Sequence, residues 1–100
     1  MKSRVQEDLF FVGTIGSRIV ATAMAGYDGH RGWIYYLAVD PDYQRRGMGR
    51  RMMERAEASL KKRGCSKINL QVRTSNPDVI SFYEHLGYSN DNVIGLGKRL

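Results

Sequence analysis

The stretch that most limits what this chain can fold into runs from residue 32 to residue 73. Residues 32–39 read GWIYYLAV, apolar or aromatic at nearly every position. Such a run suits a central strand buried on both faces better than a half-exposed one. Asp40-Pro41-Asp42 then breaks it. From residue 47 to 63 the spacing becomes helical, with Met52, Met53, Ala56 and Leu60 on one face and Glu57 and Lys61 as an i,i+4 pair on another. Lys61, Lys62 and Arg63 suit the helix C-terminus and Gly64 supplies the stop. Residues 67–73 (KINLQVR) alternate as a strand again. Strand, helix, strand in that order is a βαβ unit, which requires two parallel strands with the helix laid across them.

The flanks complete a small mixed sheet. Residues 9–15 (LFFVGTI) read as a strand, Gly16-Ser17 as a turn, and residues 18–24 or slightly beyond as a second strand closed by Gly26–Gly29, so the two form a hairpin. Asn76 before Pro77 is an N-cap with proline at the first helical position, and that short helix runs to about residue 86 and stops at Gly87. Residues 93–100 read as a closing strand. The expected fold is therefore α/β in class, an α+β mixed sheet of order β-β-β-α-β-α-β with helices packed on it.

One hundred residues allow one domain, 1–100. No apolar run approaches the roughly 20 residues of a membrane span, and the charged start, residues 1–8, lacks the apolar stretch of a secretory signal. The single cysteine, Cys65, has no internal partner, which points to the reducing cytoplasm. Sixteen Lys and Arg against ten Asp and Glu give a net charge of +6, a surplus that favours an anionic partner.

The position of that charge narrows the choice. Residues 39–50 (VDPDYQRRGMGR) leave the strand, turn, and start the helix through two glycines. A helix start carries backbone N–H groups without internal partners and a partial positive charge. Glycines there let a ligand come close to the backbone, and Arg45, Arg46, Arg50 and Arg51 surround the turn. The physics is that of a phosphate or pyrophosphate cradle. The Lys-Ser/Thr pair of an ATP-type P-loop is missing, and so is the three-glycine spacing of a dinucleotide fingerprint. The plainer reading is that Gly47 and Gly49 only relieve packing and the arginines form a solvated face.

The run AVDPDYQRRGMGR resembles the coenzyme-binding motif of the GCN5-related N-acetyltransferases (GNAT), in which an Arg/Gln-x-x-Gly-x-Gly/Ala turn binds the pyrophosphate of acetyl-CoA; Gln44, Gly47 and Gly49 match it. Asn76 and the run Phe82-Tyr83-Glu84-His85-Leu86-Gly87-Tyr88 resemble that family's second signature. Within the family the likeness is to RimI-like acetyltransferases in the coenzyme segment and to small YpeA-like ones along most of residues 9–100.

The resemblance implies a GNAT-like acyl-CoA N-acyltransferase fold and an acetyl-CoA-dependent N-acetyltransferase. It implies that the backbone of Leu37, Ala38 and Val39 pairs with the pantetheine arm, next to a bulge that splays the third strand from its neighbour. It implies that Gln44, Arg45, Arg46, Gly47, Met48, Gly49 and Arg50 hold the pyrophosphate, that Asn76 contacts the pantetheine portion, and that Tyr83 both lines the coenzyme site and donates a proton to the departing thiolate. For Asn76 a plain N-cap is equally compatible, and for Tyr83 the alternative is an aromatic that only packs. The acetyl group passes directly to a primary amine of unknown identity, with no metal.

Two departures accompany the resemblance. Gln71 stands where RimI-like relatives carry a glutamate base, and glutamine accepts no proton at neutral pH; Asp28, His30, Tyr35 and Tyr36 are the substitutes on or beside the third strand. Second, only residues 1–8 precede the hairpin, where most family members have a first strand and first helices. A second copy of the chain, a homodimer, is expected to cover the sheet edge this leaves. One cysteine and two distant histidines make no metal-ligand spacing. His85 reads as a helix C-terminal charge and Cys65 as no nucleophile. Two other readings stand beside the enzyme: a coenzyme-A-binding protein without catalysis, and a basic nucleic-acid-binding module using Arg45–Arg55 with Tyr35 and Tyr36. The last is disfavoured because the arginines gather at a helix start and because two successive strand residues should face opposite ways.

Overall fold

The computed structural model describes residues 9–73 and 75–100. Three antiparallel strands open the chain: β1 (Leu9–Ile15), β2 (Arg18–Tyr27) and β3 (Gly32–Val39). A single 3-10 turn, Pro41–Tyr43, leads to helix α1 (Met48–Lys62), then β4 (Ile68–Leu70) and helix α2 (Pro77–His85). The sheet order is β1-β2-β3-β4, with β4 parallel to β3 through the α1 crossover.

The core lies between the sheet and α1. Strand β2 presents Ala21, Ala23 and Ala25, all buried, to the helix. Small side chains there let Met52, Met53, Ala56 and Leu60 of α1 come down onto the sheet, and all four are buried. Full burial of a side chain such as Met53 or Leu60 stabilises the fold by about 1.5–3 kcal/mol. Phe82, Tyr83, Leu86 and Tyr88, on and after α2, pack against the same cluster. Gly32 is where α1 presses closest: a Cβ on it would stand 2.8 Å from a Leu60 methyl and 3.0 Å from the Cys65 sulfur.

Only that face of the sheet is covered among the described residues. Across the other face Phe10 pairs with Met24 and Met24 with Tyr36, and Val12, Thr22 and Ala38 form the next row. Phe10 is 56% exposed and Val12 48%. The expectation that β3 is buried on both faces therefore fails in its second half: Tyr35 is 50% exposed and Tyr36 43%. A bulge contributes. Met24 faces Tyr36 while Ala25 faces Ile34, leaving Tyr35 as an extra residue on β3. The interruption resets the alternation, so both tyrosines reach solvent and the objection from strand alternation does not hold. The bulge lies at Tyr35, upstream of Leu37–Val39, where the resemblance implied one.

Two further expectations need correction. No strand forms over residues 93–100, and Val93, Ile94, Leu96 and Leu100 are exposed. A strand requires a partner for its N–H and C=O groups, and β4 offers only three residues, while Gly95 and Gly97 raise the ordering cost. The segment is tethered instead at Asp91, whose carboxylate accepts from Lys67 and from the Asn69 side-chain amide, both at 2.8 Å. On α1, Glu57 pairs with Tyr88 rather than with Lys61, and the i,i+4 ion pair of this helix is Arg50–Glu54 at 3.3 Å.

Candidate active site

The site begins where β3 loses its neighbour. Parallel pairing with β4 covers Gly32, Trp33 and Ile34 only. From Tyr36 to Val39 the strand stays paired to β2 on one side and, among the described residues, has no strand partner on the other. The backbone of Leu37, Ala38 and Val39 thus borders a split in the sheet, and an extended polar chain laid there would find an unpaired strand edge.

The turn beyond Val39 is built by side chains that sequence reading passed over. Asp40 caps the 3-10 turn: its Oδ1 accepts from the Asp42 amide at 2.9 Å and its Oδ2 from Arg18 Nη2 at 2.9 Å. The amide of Asp42, and then Arg18, hold the Asp40 carboxyl below its ordinary range. The Asp40 amide in turn donates to the Val20 carbonyl at 2.8 Å. The guanidiniums of Arg18 and Arg46 lie 5.6 and 5.3 Å from the centre of the Tyr43 ring, within cation–π range. Gln44 folds back so that Nε2 donates to the Val39 carbonyl at 3.2 Å. The loop is therefore anchored to β2 and to the end of β3 at the point where α1 starts.

Gly47 is the N-cap of α1, in the left-handed region at φ 81°, with no side-chain cap; a Cβ there would meet open space. Arg45 shares the left-handed conformation at φ 64°. The first helical hydrogen bond runs from the Arg51 amide to the Gly47 carbonyl at 3.1 Å. The amides of Met48, Gly49 and Arg50 are left without helical partners, and the helix dipole adds its positive end. Gly49 has a second reason to be glycine: a Cβ would stand 3.1 Å from Phe82 Cζ. It lets α2 dock beside the start of α1, so packing relief accounts for Gly49, while Gly47 leaves open space beside the helix start.

Tyr83 comes with that docking. It is half-buried, edge-on to Phe82 at 5.0 Å and to Tyr88 at 5.8 Å. Burial raises its phenol above its ordinary value, which keeps the proton on the oxygen. Asn76 is the N-cap residue of α2 but its side chain makes no capping hydrogen bond; its backbone amide donates to the Arg73 carbonyl at 3.0 Å and its carbonyl accepts from the Ile80 amide at 3.2 Å. A groove of about 1550 Å³, widely open, runs between β4, α2 and residues 93–97. Tyr83 and Gln71 line it, whereas none of Leu37–Val39 or Gln44–Arg50 does.

The substitutes for a general base fall away in part. Asp28 accepts from the amides of Arg31 at 2.9 Å and His30 at 2.8 Å, and these bonds depress its carboxyl to about 2. It is a turn-former and a poor base. His30 is exposed in that hairpin turn. His85 Nδ1 lies 2.8 Å from the Ser81 carbonyl, and Cys65 is buried with its thiol directed to the Lys67 carbonyl at 3.1 Å. Among the described residues no three His, Cys, Asp or Glu side chains gather as a metal site, and no helix is long and apolar enough to cross a membrane.

The profile of the acetyltransferase (GNAT) family matches residues 2–88. An acetyltransferase of Sodalis glossinidius, SG1711, is 52% identical over 94 residues, spanning 93% of this chain and 66% of that protein. The chain thus spans slightly under two thirds of the length of the curated relatives it matches. The ribosomal-protein-S18-alanine N-acetyltransferase from Escherichia coli superposes with a TM-score of 0.74 at 36% identity, over 86% of this chain and 54% of its own. An aminoglycoside acetyltransferase from an uncultured soil metagenomic sample superposes at 0.81 with 21% identity, over 93% and 66%, a likeness of fold.

Proposed function

This chain belongs to the acetyltransferase (GNAT) family, and on that premise we propose that it moves an acetyl group from acetyl-CoA directly to a primary amine. One observation carries the reading: the unpaired edge of β3 and the free amides that start α1 lie at the two ends of one anchored turn. The first suits an extended amide-bearing pantetheine arm, and the second suits a diphosphate. Gln44, Arg45, Arg46, Gly47, Met48, Gly49 and Arg50 form the diphosphate end, Leu37, Ala38 and Val39 the pantetheine end, and the Asn76 side chain adds a free amide. Each charge-assisted hydrogen bond contributes about 1.5–3 kcal/mol.

In the reaction the neutral amine attacks the acetyl carbonyl, the C–S bond breaks, and the thiolate takes a proton from Tyr83, which regains one from water. The amine nitrogen loses its proton to solvent. With Gln71 unable to serve and Asp28 committed to its turn, the acceptor's own neutral fraction has to supply the attacking amine. A lysine-like amine is free in about one molecule in 2,500 at pH 7, an α-amine in about one in seven. This favours an α-amine; the Escherichia coli neighbour is named as a ribosomal-protein-S18-alanine N-acetyltransferase. The free thiol of Cys65 fits a reducing compartment, the cytoplasm. The exposed sheet face around Phe10, Val12 and Tyr36 gives a second copy of the chain a surface to cover, as a homodimer.

Titration calorimetry with acetyl-CoA, and separately with a duplex oligonucleotide, tests the reading. Saturable binding of acetyl-CoA is expected, with the oligonucleotide at best weak and abolished by salt. An amine panel that includes an alanine-terminated peptide, followed by thiol release, separates catalysis from mere coenzyme binding.

A further inference from the structure

Tyr83 makes no hydrogen bond through its hydroxyl to another described residue, so its orientation has to come from its neighbours. On one side stands Phe82, itself seated over Gly49. On the other stands Tyr88, whose ring meets Tyr83 edge-on at 76°. Tyr88 is fixed at two points. Its amide donates to the carbonyl of Tyr83 at 3.1 Å, closing the end of α2. Its hydroxyl donates to the Glu57 carboxylate at 2.6 Å, 31 residues earlier on α1 and part-buried. That bond is short, charge-assisted and directed, and it ties the end of α2 to the middle of α1.

We propose that Glu57 and Tyr88 are positioning residues: their hydrogen bond holds the Tyr88 ring as the wall that orients Tyr83 toward the departing sulfur. The inference rests on the reading of Tyr83 as proton donor given above. Burial and the adjacent carboxylate push the Tyr88 phenol far up, so the proton that makes the bond stays in place over the working range. Neither residue touches substrate in this account; both act through Tyr83.

Two measurements decide it. The first uses thiol release with the most active amine of the panel, well below the melting temperature of every variant. Tyr88→Phe, which keeps the ring and loses the bond, should lower kcat about three- to tenfold and leave KM for acetyl-CoA within twofold. Glu57→Gln keeps an acceptor and should stay within twofold of the wild type, whereas Glu57→Ala should match Tyr88→Phe. The double variant Tyr83→Phe/Tyr88→Phe should be no slower than Tyr83→Phe alone. An unchanged kcat in Tyr88→Phe, or a further drop in the double variant, overturns the proposal. The second needs no activity: the ring signals of Tyr83 in the ¹³C-tyrosine protein, assigned by their loss in Tyr83→Phe, should broaden or double in Tyr88→Phe and stay sharp in Glu57→Gln. Signals unmoved in Tyr88→Phe overturn the positioning role, even if the wild type proves to acetylate none of the amines and the proton-donor reading fails on its own.

Discussion

Gly32→Ala tests the packing on which the site is built. Gly32 opens β3 and faces Ile68 across the parallel pair, two residues before that pairing ends at Ile34. An added methyl carbon would stand 2.8 and 3.3 Å from the two Leu60 methyls and 3.0 Å from the Cys65 sulfur. Unstrained carbon contacts lie near 3.5–4.0 Å, so the neighbours must retreat by several tenths of an ångström or more. They have little room. Leu60 is 0% exposed, and Cys65 is buried with its thiol held on the Lys67 carbonyl, the same carbonyl that accepts from the Gly32 amide at 2.8 Å. Overpacking of this kind costs about 1–3 kcal/mol. Lower unfolded-chain entropy returns about 0.4–1 kcal/mol, and Gly32 is not among the positive-φ glycines, so the backbone adds no strain. With both effects taken at mid-range, the net expectation is a loss of about 1.3 kcal/mol, or roughly 5–10 °C in Tm for a domain of this size. Urea titration by circular dichroism reads it. In the background of Leu60→Val the same change should cost at least about 0.5 kcal/mol less, since contacting sites couple. A Gly32→Ala protein as stable as the parent would refute the argument that α1 presses on this glycine.

Tyr83→Phe should lower turnover at least tenfold, about 1.4 kcal/mol of barrier, with acetyl-CoA affinity nearly intact in calorimetry. The pH profile of kcat/KM for an α-amine should rise toward about pH 8 as the amine loses its proton, then stay level until the raised Tyr83 phenol ionises above its ordinary value of 10. A fall below pH 9 would remove Tyr83 from the acid role. Gly47→Glu puts a carboxylate beside the free amides at a position with open space around it; backbone strain there is about 1–2 kcal/mol, the fold should persist, and acetyl-CoA binding should be lost. Gly49→Glu should lose binding too, but it also collides with Phe82, so the Gly47 variant is the cleaner test. Asp28 contributes to stability above its unfolded value near 3.8 and loses that contribution as pH falls toward about 2. Asp28→Asn should therefore lower Tm at pH 7 and converge with the parent at about pH 2.

Much of this fold was legible because its signals are local. Gly16-Ser17 placed the first hairpin turn, and β1 runs over the residues its apolar pattern marked. The Met52, Met53, Ala56 and Leu60 stripe marked the buried face of α1, and Asn76-Pro77 marked the start of α2. What was missed depends on neighbours. An apolar run cannot say how many faces are covered, so Tyr35 and Tyr36 were expected inside. A bulge leaves no mark in a strand whose residues are all apolar. The segment 93–100 has strand-like residues, but a strand exists only against another edge. Of the proposed site, Gln44, Gly47, Gly49, Asn76 and Tyr83 were singled out by motif spacing, while the contacts of Arg18, Asp40 and Tyr43 and the Glu57–Tyr88 bond left no such mark, because most of them join elements distant in sequence.

Amide chemical shifts during titration with coenzyme A test the placement of the site most directly. The largest shifts are expected at Leu37–Val39 and at Gln44–Arg50, with Gly47 to Arg50 foremost. Shifts confined to the groove between β4 and residues 93–97, or to the open face around Phe10 and Tyr36, would contradict it.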